Sequence, residues 1–131
     1  MSEDIRSDSN VLPFKRPVKR SGPDPVLTRE LGKLLIVYDQ LISLLREAYD
    51  DELDSYTDGL LQMVVRCRQG LKETMDDDTA QRTLRDMRAE LYQFPRNLRS
   101  LLPGIGPRLS ESLEYKLGIQ FASYAPGQPS P

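Results

Sequence analysis

The fold is decided by residues 24–49, which read DPVLTRELGKLLIVYDQLISLLREAY. Asp24 is a preferred N-cap residue, and Pro25 suits the first helical position because an N–H there would have no partner within the helix. Apolar residues then recur at spacings of three and four, the period of an amphipathic helix. They are Leu27, Leu31, Leu34, Leu35, Tyr38, Leu41, Ile42, Leu45 and Tyr49. Three more widen the stripe: Ile36, Val37 and Leu44. We therefore predict a central helix that is buried on more than one side.

Two further helices follow. Ser55 and Asp58 resemble a capping box at the start of the second helix. The apolar face of this helix consists of Leu60, Leu61, Val64, Val65, Cys67 and Leu71. The third helix is predicted to begin near Asp77 or Asp78, where carboxylates meet the positive end of the helix dipole. Its narrow apolar seam, suited to two neighbours or a partner helix, consists of Ala80, Leu84, Met87, Leu91 and Phe94.

The C-terminal part is predicted to contain two short helical pieces around a turn. Pro95 ends the third helix or starts a short one that runs to Leu101. A final helix covers residues 107–117, with Gly118 as its C′ residue. The fold class is therefore all-α, a bundle of three main helices plus a short C-terminal helix–hairpin–helix over residues 95–118.

The two ends of the chain contain little apolar material that could enter a core. Residues 1–23 and 123–131 are rich in Ser, Pro and other polar residues, so we predict disordered tails around one helical domain at 24–122. No apolar run is long enough to span a membrane, and the polar, acidic start does not resemble a secretory signal. We expect a cytoplasmic protein.

Composition argues against an enzyme. The chain has no His, which removes the commonest general base and the commonest metal ligand. Its single cysteine, Cys67, lies on an apolar helix face and cannot form an internal disulfide or a thiolate cluster. A calcium-loop-like stretch at 54–59 has Val65 where the bidentate Glu belongs. We predict no catalytic residues, metal, cofactor or small-molecule substrate.

Charge is distributed unevenly along the chain. Residues 26–93 carry fourteen acidic and nine basic side chains, whereas residues 94–131 carry two acidic and four basic ones. Residues 1–25 carry four acids and five bases. A polyanion should therefore approach the ends of the chain rather than its middle.

One segment carries a motif that indicates a ligand: Leu102-Pro103-Gly104-Ile105-Gly106-Pro107-Arg108. Two glycines around one apolar residue allow a tight turn whose backbone can approach a ligand closely. The amides of this turn precede a helix N-terminus, which favours an anion such as phosphate. We expect Ile105 to point inward and fasten the turn, and Arg108 to add a charge-assisted phosphate contact.

The segment resembles the hairpin of the helix-hairpin-helix DNA-binding family over about residues 98–118. In that family the Gly–hydrophobic–Gly turn donates backbone N–H groups to the DNA backbone without reading base sequence. The resemblance implies phosphate-binding roles for Gly104, Gly106 and Arg108. Three more basic residues are added for their charge and proximity: Arg96, Arg99 and Lys116. The alternative is that the Pro- and Gly-rich turn only connects two helices.

A second segment, near the N-terminus, places an apolar tetrad at 11–14 before four basic residues. These are Lys15, Arg16, Lys19 and Arg20. We interpret the segment as a solvated tail on composition. The alternative is a partner-binding arm, in which Leu12 and Phe14 anchor while the bases contact acidic protein or phosphate.

Two functions follow from these features. We predict a non-catalytic accessory protein, within a larger bacterial complex, that binds the DNA backbone weakly and without sequence preference. The alternative is an adaptor or regulatory protein that makes no nucleic-acid contact and binds a partner helix or forms a homodimer. This alternative is suggested by the first and third helices, because their apolar surface is larger than a small bundle can bury.

Overall fold

The computed structural model describes residues 24–73 and 75–126, so the predicted tail at 1–23 and the end of the chain lie outside the described residues. Four α-helices and one 3-10 helix occur in this range. They are α1 (Pro25–Tyr49), α2 (Asp54–Lys72), α3 (Asp77–Leu101), α4 (Gly106–Leu117) and a 3-10 helix at Phe121–Tyr124. Residues 24–73 and 75–126 contain no strand, and the predicted all-α bundle is confirmed.

The first helix begins as the sequence predicts. The Asp24 side chain accepts a hydrogen bond from the Val26 N–H at 2.8 Å, and Pro25 occupies the first helical position. The buried face consists of Leu31, Leu34, Leu35, Tyr38, Leu41, Ile42 and Leu45. Ile36, which was expected to widen this face, is 61% exposed. The buried stripe of α1 is therefore narrower on that side than its sequence indicates.

The capping box predicted at Ser55 is wrong. The N-cap position is Leu53, two residues before Ser55, and no side chain caps the first turn of the helix. The hydroxyl of Thr57 instead donates to the carbonyl oxygen of Leu53 at 3.0 Å, and Asp58 pairs with Arg46 of α1 at 3.3 Å. Because Leu53 is buried in the core, its packing fixes the start of α2 without a cap.

The third helix does not end at Pro95, contrary to the prediction. It starts after Asp76, whose side chain accepts from the Thr79 N–H at 2.7 Å, a bond that lowers the pKa of the carboxyl group. It then runs without interruption to Leu101. Leu91, Phe94 and Leu98 are all buried on this helix, before and after the proline. Their packing outweighs the one helical hydrogen bond that Pro95 cannot make.

The helices pack around α1, which contacts α2, α3 and α4. The Tyr38 hydroxyl of α1 donates to the Met87 carbonyl oxygen of α3 at 2.8 Å, and burial raises the pKa of this phenol. None of the helices in the described ranges is both long and apolar enough to cross a lipid bilayer.

The folded part extends beyond residue 122, where the sequence predicts the domain to end. Phe121 and Tyr124 of the 3-10 helix are buried, and the ring of Phe121 lies 4.9 Å from that of Phe94. A stretch of four residues with two aromatic anchors is too short to show a helical period, so the sequence pattern misses it.

The direction of the helices places two connections at one end of the bundle. The starts of α1 and α3 adjoin, because the Asp24 N–H donates to an Asp77 carboxylate oxygen at 2.8 Å. Towards the other end, Asn97 of α3 donates to the Tyr56 hydroxyl in the first turn of α2 at 3.3 Å. The α1–α2 connection and the α3–α4 hairpin therefore share the end of the bundle opposite Asp24.

Candidate nucleic-acid interface at the α3–α4 hairpin

A β-turn over residues 102–105 joins α3 to α4. The Ile105 N–H donates to the Leu102 carbonyl oxygen at 3.1 Å, which closes the turn. Pro103 stands at its second position and Gly104, with φ +88°, at its third. This combination is typical of a type II turn, whose third residue has a positive φ that side chains disfavour. The first glycine of the motif is therefore needed for backbone conformation.

The second glycine, Gly106, has a different role. It is the buried first residue of α4, and a Cβ there would lie 2.8 Å from the carbonyl oxygen of Leu98 and 2.9 Å from the nitrogen of Arg99. Ser110, one turn further on, is also buried, and its hydroxyl donates to the Pro107 carbonyl oxygen at 3.0 Å. These small residues allow α4 to approach the backbone of α3.

The amides of the bend fall into two groups. Those of Ile105 and Gly106 both donate to the Leu102 carbonyl oxygen, at 3.1 and 2.8 Å, so neither is available to a ligand. The Gly104 N–H has no acceptor within residues 24–73 and 75–126, and this residue is exposed. The Arg108 N–H lies in the first turn of α4, where a helix supplies no carbonyl partner and no side chain caps it.

Ile105 does not point inward as the sequence predicts. Its side chain is 45% exposed, and Leu101 at the end of α3 is also exposed. The turn is fastened by its backbone hydrogen bonds and by the buried side chain of Leu102. The tip of the hairpin therefore presents apolar side chains next to the available Gly104 amide.

The sequence on both sides of the bend contains arginines and no acids. Between Glu90 and Glu111 the chain contains three arginines and no carboxylate. Arg99 and Arg108 are exposed, as is Arg96, whose guanidinium donates to the Gln93 side chain at 3.1 Å. None of the three forms an ion pair with any residue that the structure describes.

Lys116 is not part of this group. It follows Arg108 by eight residues on α4, which is about 12 Å along the helix axis. It lines a shallow depression with Gln40, Ser43 and Leu44 of α1. Lys116 was predicted to lie near the bend because the two are close in sequence. The length of α4 separates them in the structure.

Three carboxylates that the sequence did not associate with the bend lie at the same end of the bundle. Asp50, Asp51 and Glu52 form the connection between α1 and α2, and all three are exposed. They oppose the approach of a polyanion to this end. Only the direction of the helices reveals this, since the acids precede the hairpin by about fifty residues in the sequence.

The other predicted features are placed as follows. The proposed arm residues Leu12, Phe14, Lys15, Arg16, Lys19 and Arg20 lie outside the described residues. Cys67 is buried, which raises the pKa of its thiol. Across 24–73 and 75–126, no three His, Cys, Asp or Glu side chains are grouped so that they could hold a metal ion.

Comparisons of the chain with protein-family models, with curated proteins and with solved structures find no match. The geometry of the hairpin is therefore the basis on which a function is assigned.

Proposed function

We propose that this protein is a non-catalytic domain that binds the phosphate backbone of DNA, without reading base sequence, at the α3–α4 bend. The observation that supports this most directly is the N–H of the exposed residue Gly104, which is held in a closed β-turn and has no acceptor within residues 24–73 and 75–126. The Arg108 amide and guanidinium follow within four residues. Together they supply two neutral donors and one charged donor for a phosphate contact.

This donor set differs from the one that the family resemblance implies. Gly106 contributes close packing instead of an amide, so Gly104 and Arg108 carry the contact. Arg99, whose backbone lies beside Gly106, is an additional cation. Backbone amides and a guanidinium recognise phosphate and not the edges of bases, so the binding has no sequence preference. Contact with one or two phosphates is weak and salt-sensitive, which suits an accessory part of a larger assembly.

Binding to random-sequence duplex DNA tests this proposal. We expect fluorescence anisotropy to detect binding of the full chain to a labelled duplex at low salt, and Arg108→Glu to weaken it by about tenfold or more. Arg82→Glu is the matched control, because Arg82 is exposed on the same helix as Arg99 but about 25 Å away along its axis. Circular dichroism checks that both variants keep the wild-type helix content.

Two outcomes would count against DNA binding. One is the absence of any binding by the wild-type chain at low salt. The other is an equal loss of binding in Arg82→Glu and Arg108→Glu, which would indicate a general charge effect instead of a site at the bend.

Protein binding at the same end is the second candidate. It is supported by the exposed side chains of Leu101 and Ile105 at the hairpin tip, an arrangement that favours burial against a partner. In this case the double variant Leu101→Ser with Ile105→Ser should abolish either self-association, measured by sedimentation equilibrium, or retention of a protein partner. Arg108→Glu should have little effect on either. The DNA-binding proposal predicts the reverse: Arg108→Glu weakens binding more than the double serine variant does.

A further inference from the structure

An open groove of about 410 Å³ lies between α2 and the first half of α3, away from the hairpin. The groove is lined by all three methionines of residues 24–73 and 75–126, namely Met63, Met75 and Met87. Cys67 and Gly70 of α2 lie between them, and the charged residues of the rim are Arg66, Glu73 and Asp86. Methionine side chains are unbranched and polarisable, so a surface built from them adapts to an inserted apolar group.

The shape of the groove depends on Gly70. A Cβ at this position would lie 2.3 Å from the terminal methyl carbon of Met75, so the missing side chain lets Met75 lie across α2. Met87 and Cys67 form a buried floor. The groove is thus an apolar, methionine-lined surface with a floor fixed by the core and one wall formed by a flexible side chain.

The N-terminal segment of the same chain begins next to this groove. The Asp24 N–H donates to the Asp77 carboxylate at 2.8 Å, and Thr79, two residues further along α3, lines the groove. Phe14 precedes Asp24 by ten residues, a length that spans up to about 35 Å when extended. The groove extends along α3 from Thr79 to Met87, about 12 Å. Phe14 is therefore within reach of the whole groove.

Charge complementarity supports the same occupant. Four basic residues stand between Phe14 and Asp24, namely Lys15, Arg16, Lys19 and Arg20. Four acidic residues stand in the α2–α3 connection and the start of α3, namely Glu73, Asp76, Asp77 and Asp78. A segment that runs from Asp24 towards the groove passes this acidic connection, so its bases meet opposite charges along the same path.

We propose that the N-terminal segment binds its own domain, with Leu12 and Phe14 in the α2–α3 groove and the four bases along the acidic connection. The apolar pair supplies the anchor, and the adjacent bases fix the direction of the segment. This docking site is at the end of the bundle near Asp24 and is independent of the hairpin and of its proposed function.

Methyl resonances of the methionines report directly on the groove. In the full-length chain with ¹³C-methyl methionine, we expect Leu12→Asp with Phe14→Asp to shift the signals of Met63, Met75 and Met87, because a phenyl ring leaves their surroundings. Ile5→Asp with Ser7→Asp is the matched control, since it adds the same two negative charges to the segment away from Leu12 and Phe14, and it should leave the three signals unchanged.

The proposal is overturned if the three methyl signals are the same in the wild type and the double variant. It is also overturned if the wild-type signals change with protein concentration, because the groove would then hold the segment of a second copy. Equal thermal unfolding midpoints of the two variants show that a change in the methyl signals does not come from a loss of stability.

Discussion

A Cβ placed on Gly106 would lie 2.8 Å from the carbonyl oxygen of Leu98, so the first residue of α4 touches the backbone of α3 directly. This contact, rather than exposure to a ligand, explains the second glycine of the bend. The neighbouring atoms belong to backbone in a buried part of α3, so they cannot move aside as the end of a flexible side chain would.

Replacement of Gly106 by alanine should therefore destabilise the domain. We expect a loss of about 1–3 kcal/mol in the free energy of unfolding, the usual cost of overpacking, measured by urea denaturation. Gly59→Ala is the control, because nothing lies within 4 Å of a Cβ at this helical position. Alanine is the better helix former, so Gly59→Ala should stabilise by up to about 1 kcal/mol. Equal effects of the two substitutions would contradict the packing role of Gly106.

High pH should weaken the fold through its buried phenols. Burial raises the pKa of Tyr38 and of Tyr56 above the ordinary value of 10.0. Because the folded-state pKa is raised, the stability from these groups is complete below pH 10 and is lost as the pH rises above it, where the unfolded chain ionises first. Denaturation from pH 8 to 11 should show this fall. Tyr38→Phe should reduce its slope, and an unchanged slope would exclude Tyr38 as a contributor.

Removal of the acids at the hairpin end should strengthen DNA binding. Asp50→Asn, Asp51→Asn and Glu52→Gln together remove three negative charges from the end of the bundle that carries the bend. We expect a several-fold gain in affinity at low salt that disappears as added salt shortens the Debye length to about 10 Å at 0.1 M. If the triple variant binds DNA no better than wild type at low salt, the polyanion does not approach this end.

Local sequence signals predicted the parts of the fold that local interactions determine. The Asp24 cap and the apolar period of α1 gave the correct start and the buried face, apart from Ile36. Ser55 gave a wrong helix start because the burial of Leu53 outweighs a side-chain cap. Pro95 gave a wrong helix end because the burial of Phe94 and its neighbours outweighs the effect of a helix breaker.

The same distinction applies to the candidate sites. The motif located Gly104 and Arg108, and the positive φ of Gly104 follows from turn chemistry alone. The buried position of Gly106 and the exposed one of Ile105 depend on how α4 meets α3, which no local pattern contains. The methionine groove is also non-local, since its lining comes from two helices whose separation only the packed structure shows.

An ester bond in place of the amide of Gly104 shows whether this N–H binds a phosphate oxygen. Semisynthesis with glycolic acid in place of Gly104 removes the N–H but keeps a residue without a side chain, so φ +88° remains accessible. We predict that affinity for duplex DNA falls about tenfold while helix content and unfolding midpoint stay at wild-type values. Wild-type affinity in the ester variant would contradict the claim.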